Sequence, residues 1–125
     1  MKSCPKEIII LISLFQPAPA LAQAIFTDVD GTILYSEYHQ NHTSNFKGTI
    51  VFQNGTGSSV KAWTDNNTFL KCAKQNSSTF MYDRSGLGKR PPDLSISFNR
   101  PITAEYVNAK LMRLLKKNHV QGPYI

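Results

Sequence analysis

The sequence predicts an α+β fold: a small, mainly antiparallel β-sheet with one amphipathic helix at its C-terminal end. Three observations carry this. Short runs of β-forming residues alternate with turn chemistry through the first two-thirds of the chain. The apolar period then lengthens to that of a helix after Thr103. The body that remains once an N-terminal export segment is set aside is large enough for a single modest core.

That segment is residues 1–24. Lys2 and Lys6 form a positive start, Ile8 to Phe15 is an apolar run broken only by Ser13, and Gln16 to Ala24 breaks a helix and places small residues at cleavage spacing. This is the layout of a secretory signal peptide. The run is shorter than the roughly 20 residues that span a bilayer. Cleavage after Ala22 or after Ala24 fits equally, and the layout looks bacterial. The expectation is a periplasmic or secreted protein whose mature part, residues 25–125, has no transmembrane segment.

The elements follow in order. Ile25 to Val29 is apolar and ends at Asp30-Gly31, a turn signal. Thr32 to Tyr38 alternates, Gln40 to Asn45 is a polar loop, and Gly48 to Gln53 reads as a strand. After the turn at Asn54 to Ser59, residues 60–64 and 68–73 read as a hairpin closed by Asp65-Asn66-Asn67. Thr79 to Tyr82 reads as a short strand, Asp83 to Asp93 as a loop, and Leu94 to Phe98 as a last clear strand. Thr103 then caps a helix over 104–117. Val107, Leu111, Leu114 and Leu115 make its apolar stripe, and Lys110, Arg113, Lys116 and Lys117 lie off it. A final edge strand is expected near Val120.

The full chain carries 14 basic and 8 acidic side chains. Without residues 1–24 the balance is 12 to 7, a moderate positive charge that favours acidic partners in general. The basic residues are mostly scattered, so no nucleic-acid partner is expected. Cys72 is the one cysteine outside the export segment, which excludes an internal disulfide there. Its apparent strand setting predicts a buried, unreactive thiol. Sequons begin at Asn41, Asn54, Asn66 and Asn76, and all four are expected at the surface.

One motif carries chemistry. Ile25-Phe-Thr-Asp28-Val-Asp30-Gly31-Thr32 resembles the first motif of the haloacid dehalogenase-like phosphatases. The resemblance implies Asp28 as nucleophile, Asp30 as acid/base, and Mg²⁺ held by both, in line with a reaction that depends on positioning and charge neutralisation. It covers about ten residues, and the family's later acidic pair is missing. A Ca²⁺ loop on the same two carboxylates would lack its distal glutamate. A second resemblance, at the level of layout, is to small exported OB-like binding proteins such as the B subunits of AB5 toxins. It rests on the export segment, on Ser36 to His39 and Ile50 to Gly55, and on the helix from Ala104. It implies an OB-like barrel.

The sequence contains no complete catalytic constellation, so the expectation is a β-rich, non-enzymatic exported module that binds protein or carbohydrate without a cofactor. Its contacts would lie on loops 39–45, 54–59 and 83–93. The candidate binding residues are Tyr38, His39, Asn54, Trp63, Tyr82 and Arg84. The alternative expectation is a Mg²⁺-dependent phosphatase using Asp28 and Asp30.

Overall fold

A computed structural model describes residues 23–55, 57–65, 67–88 and 102–125. Residues 1–22 of the expected export segment and the strand expected at Leu94 to Phe98 lie outside the described residues.

The first two strands form as their sequence dictates. β1 (Gln23–Val29) and β2 (Thr32–His39) pair antiparallel, with Val29 opposite Thr32. Between them Asp30 and Gly31 adopt φ of 55° and 78°. Two consecutive residues in the left-handed region are what a tight two-residue hairpin needs, and an Asp-Gly pair tolerates it. The Gly31 N–H also donates to Asp28 Oδ1 at 2.8 Å.

From there the architecture departs from the antiparallel expectation. β3 (Thr49–Phe52) and β4 (Ser78–Tyr82) pair parallel, with Val51 opposite Phe80. β4 pairs antiparallel with β2, which gives the sheet order β1-β2-β4-β3. A parallel pair cannot be closed by a tight turn and requires a crossover. The crossover holds α1 (Lys61–Asp65) and α2 (Asn67–Asn76), where a hairpin was expected. The cause is visible in the burial. Leu70 and Ala73, three apart, are buried, whereas Phe69 and Cys72 are exposed. Helical spacing therefore places the apolar side chains on one face, and the β-forming character of Thr68 to Cys72 is overridden by packing.

The chain then returns through α3 (Ala104–Lys117), whose N-terminus is capped by Thr103 Oγ1 accepting from the Tyr106 N–H at 3.2 Å. Beyond it, Tyr124 and Ile125 reach the far side of β3. Ile125 N–H donates to Thr49 O at 3.1 Å and Val51 N–H donates to Ile125 O at 2.8 Å, so the last pairing falls at Tyr124 and not at Val120. Val120 is buried in the core instead.

Helices thus cover both faces of the sheet. On one face Val29, Leu34, Phe80 and Tyr82 pack with Leu114, Leu115 and Val120. On the other, Tyr35, Phe52 and Met81 pack with Val60, Leu70 and Ala73. β4 is buried along its whole length, as a central strand covered on both sides must be. An OB-like barrel is excluded by this arrangement: its antiparallel strands would close on themselves, whereas here an open mixed sheet lies between helical layers.

The basic side of α3 is partly engaged by the first hairpin. Lys110, which the apolar stripe places outside, is buried, and its Nζ donates to Thr32 Oγ1 at 2.9 Å and to Tyr106 Oη at 3.1 Å. Arg113 Nη1 donates to Asp30 Oδ2 at 2.9 Å, and Lys117 Nζ to Asp28 O at 2.7 Å. The helix grips the β1–β2 hairpin with these cations.

Cys72 lies on the outward face of α2, where the strand reading had buried it. A thiol reagent should therefore label it as fast in the native protein as in denaturant. Labelling that is slow until denaturant is added would contradict its placement. Among the described residues no helix is long and apolar enough to cross a membrane.

Candidate active site

The strand order reverses direction at β3. The chain leaves β3 for β4 on one side and comes back to pair on the other. In open α/β sheets the carboxyl ends of the strands at such a switch point form the ligand crevice. Here that edge carries residues 53–55 and 57–60 and the segment from Asp83 to Gly88.

Side chains clamp the first segment to the second. Asn54 is buried, its Nδ2 donates to Tyr82 O at 3.1 Å, and its Oδ1 accepts from Trp63 Nε1. Arg84 Nη2 donates to Gly55 O at 2.6 Å. Asp83, 2% exposed, accepts the Val60 N–H on Oδ1 at 2.7 Å, so a buried carboxylate fixes the point where the loop enters α1. Tyr82 Oη donates to Gln53 Oε1 at 2.6 Å. Burial raises the Tyr82 hydroxyl above its ordinary range, partly offset by that hydrogen bond and by the Arg84 charge. Gly88 closes the arrangement. Its φ is +59°, and a Cβ there would overlap the Asp83 carboxylate.

Asp83 is tied back to the sheet as well, its N–H donating to Tyr35 O at 2.9 Å. The Tyr35 hydroxyl donates to Glu37 Oε1 at 2.6 Å and is pushed up to about 12, first by burial and then by Glu37. The folded state therefore keeps a proton that the unfolded state loses near pH 10. Stability supplied by this group is complete below pH 10 and falls as pH rises towards 12. Tyr35→Phe should flatten the alkaline limb of a melting-temperature profile, and an unchanged limb would contradict it.

Four of the six binding candidates, Asn54, Trp63, Tyr82 and Arg84, come together here, joined to one another or to the same loop. The other two do not. Tyr38 and His39 pair with Phe80 and Thr79, towards the opposite end of β4. Asp28 and Asp30 sit at the hairpin, occupied by Gly31 and Arg113. The phosphatase reading fails because β1 turns straight back into an antiparallel partner instead of feeding a crossover helix. Among the described residues no group of three or more His, Cys, Asp or Glu could hold a metal ion.

Gln53, Gly55, Asp83 and Gly88 are not among the six candidates, although the last three fall on loops expected to carry the contacts. The available signal was Asp83 followed by glycines at positions 86 and 88, after a glycine-bearing turn at 54–57. Asn54 also corrects the expectation for the sequons, because its amide is buried and used on both sides. The Asn41 amide is likewise engaged, its Nδ2 donating to Lys74 O at 2.8 Å.

No protein-family profile and no curated protein matches the chain. Solved structures do. A CIB-like hydrolase from Thermoplasma acidophilum aligns with a TM-score of 0.62 at 18% identity, over 82% of this chain and 49% of its own. The Cif epoxide hydrolase from Acinetobacter nosocomialis aligns at 0.61 and 25% identity, over 82% of this chain and 29% of its own. An alpha/beta hydrolase enzyme from a Medee basin deep-sea metagenome library aligns at 0.57 and 20% identity, over 74% of this chain and 30% of its own. The chain thus spans half or less of the length of the structures it resembles. These likenesses overturn the AB5-type and phosphatase resemblances, and with them the β-rich binding module. Over the part this chain covers, the fold is that of the α/β hydrolases.

Proposed function

We propose that this chain carries the oxyanion-loop part of a hydrolase, in which the loop that follows β3 supplies a backbone N–H group to the oxyanion of the reacting substrate. The observation that supports this best is the clamping of that loop at the carboxyl end of β3 by Asn54, Asp83 and Arg84. An oxyanion site works because its donors are fixed before charge develops, so that no reorganisation accompanies the reaction. In α/β hydrolases the loop after the third strand contributes one such donor beside the nucleophile.

Among the described residues no hydrogen bond joins a serine or cysteine to a histidine, so a serine or cysteine nucleophile, on this reading, comes from outside them. The name of one similar structure points to an epoxide as substrate, and an ester is the acyl substrate that an oxyanion site of this kind would serve. The test is turnover of an aryl ester and an aryl epoxide by the protein isolated from the cells that make it. Turnover should fall about 10²-fold or more in Asn54→Ala, which frees the loop from β4 and from Trp63. A folded protein inactive on both substrate classes would overturn the reading.

A further inference from the structure

We propose that the cleft between the carboxyl end of the sheet and the first turns of α3 binds a short-chain carboxylate, its head on Arg84 and its hydrocarbon along α3. The choice of ligand rests on the hydrolase reading, since ester hydrolysis releases a carboxylate.

The cleft encloses about 320 Å³ between Gln53, Arg84, Ile102, Val107, Asn108 and Leu111. That is the low end for a small-molecule site and suits a short chain. Its helix side is apolar: Ile102 is 62% exposed, and Val107 and Leu111 are half-buried. Its sheet side carries the charge. Arg84 is half-buried, uses Nη2 on Gly55 O, and has a buried Nε with no hydrogen-bond partner among the described residues. Among the described residues no carboxylate pairs with it. A half-buried guanidinium that no described carboxylate pairs is a recruiter of carboxylates.

Two of the other polar groups at the cleft are engaged elsewhere. Gln53 Oε1 accepts from Tyr82. At the N-terminus of α3, the Glu105 carboxyl is held below its usual range by its own backbone N–H and by Thr103. It thereby occupies two donors an anion could use there, and Arg84 is the cation that lines the cleft.

The test titrates the full chain with hexanoate and follows backbone amide shifts. The expected result is saturable binding with the largest shifts at Gln53, Arg84 and residues 103–108. Hexanol, lacking the charge, should bind about tenfold more weakly, and acetate, lacking most of the chain, about a hundredfold more weakly. Arg84→Gln should weaken hexanoate about tenfold and leave hexanol unchanged. Because it also cuts the bond to Gly55, Arg84→Lys serves as the second variant and should retain most of the binding. Val107→Trp should fill the cleft and abolish binding. Equal affinity for hexanoate and hexanol, or shifts lying away from the cleft, would overturn the proposal. Absent hexanoate binding beside intact hydrolysis rejects this site alone. Intact binding beside absent hydrolysis rejects the catalytic reading alone.

Discussion

Leu115→Asp should leave the chain largely unfolded. Leu115 is 1% exposed and packs, with Leu114, against Phe80 and Val29. The substitution removes the apolar contacts, for which Leu→Ala alone costs about 2–5 kcal/mol, and adds a charge with no partner in the core. A cost above about 4 kcal/mol removes most of the stability of a domain this small. Lys116→Ala, one residue further on and exposed, should be nearly silent. Melting curves of the two variants check this. A Leu115→Asp protein that melts with the unsubstituted chain would mean that α3 does not lie on the sheet.

The second large effect belongs to Asp83 and Gly88. Asp83→Ala leaves the buried Val60 N–H without its acceptor, a loss of about 1–3 kcal/mol. Gly88→Ala imposes a side chain on a left-handed backbone and drives its Cβ into the Asp83 carboxylate. Each alone should lower stability clearly. Together they should cost less than the sum, because Asp83→Ala removes the atoms that the new methyl group at position 88 would strike. Denaturant unfolding of the two single variants and the double variant measures the coupling. Strict additivity would mean that the two residues do not meet.

The sequence made some of this readable. The Asp-Gly turn and its flanking alternation specify the first hairpin by local chemistry alone. The α3 stripe is equally local, since its cap, period and final lysines all agree. What escaped was set by distant partners. Residues 60–73 carry β-forming side chains, yet Val60, Leu70 and Ala73 are needed on one face of the sheet, and only a helix delivers them. The parallel pairing of β3 and β4 leaves no mark at the strands themselves. It is a property of the connection, and reading that connection as a hairpin turned a layered α/β sheet into an antiparallel one. Lys110 misled for a similar reason: its acceptor is Thr32, 78 residues away.

The candidate site was half legible. Polar and aromatic loop residues suggested Asn54, Trp63, Tyr82 and Arg84, and these do converge. Their roles were not legible. Asn54 and Asp83 hold backbone in place, and a side chain's use of a distant N–H or C=O cannot be seen in composition.

The most direct test of the account is the nuclear Overhauser pattern of residues 49–82 in solution. The fold predicts successive amide–amide contacts through 67–76 and a parallel ladder joining Val51 to Phe80. Close α-proton pairs across residues 60–64 and 68–73 would show a hairpin there and would contradict the hydrolase fold for this chain.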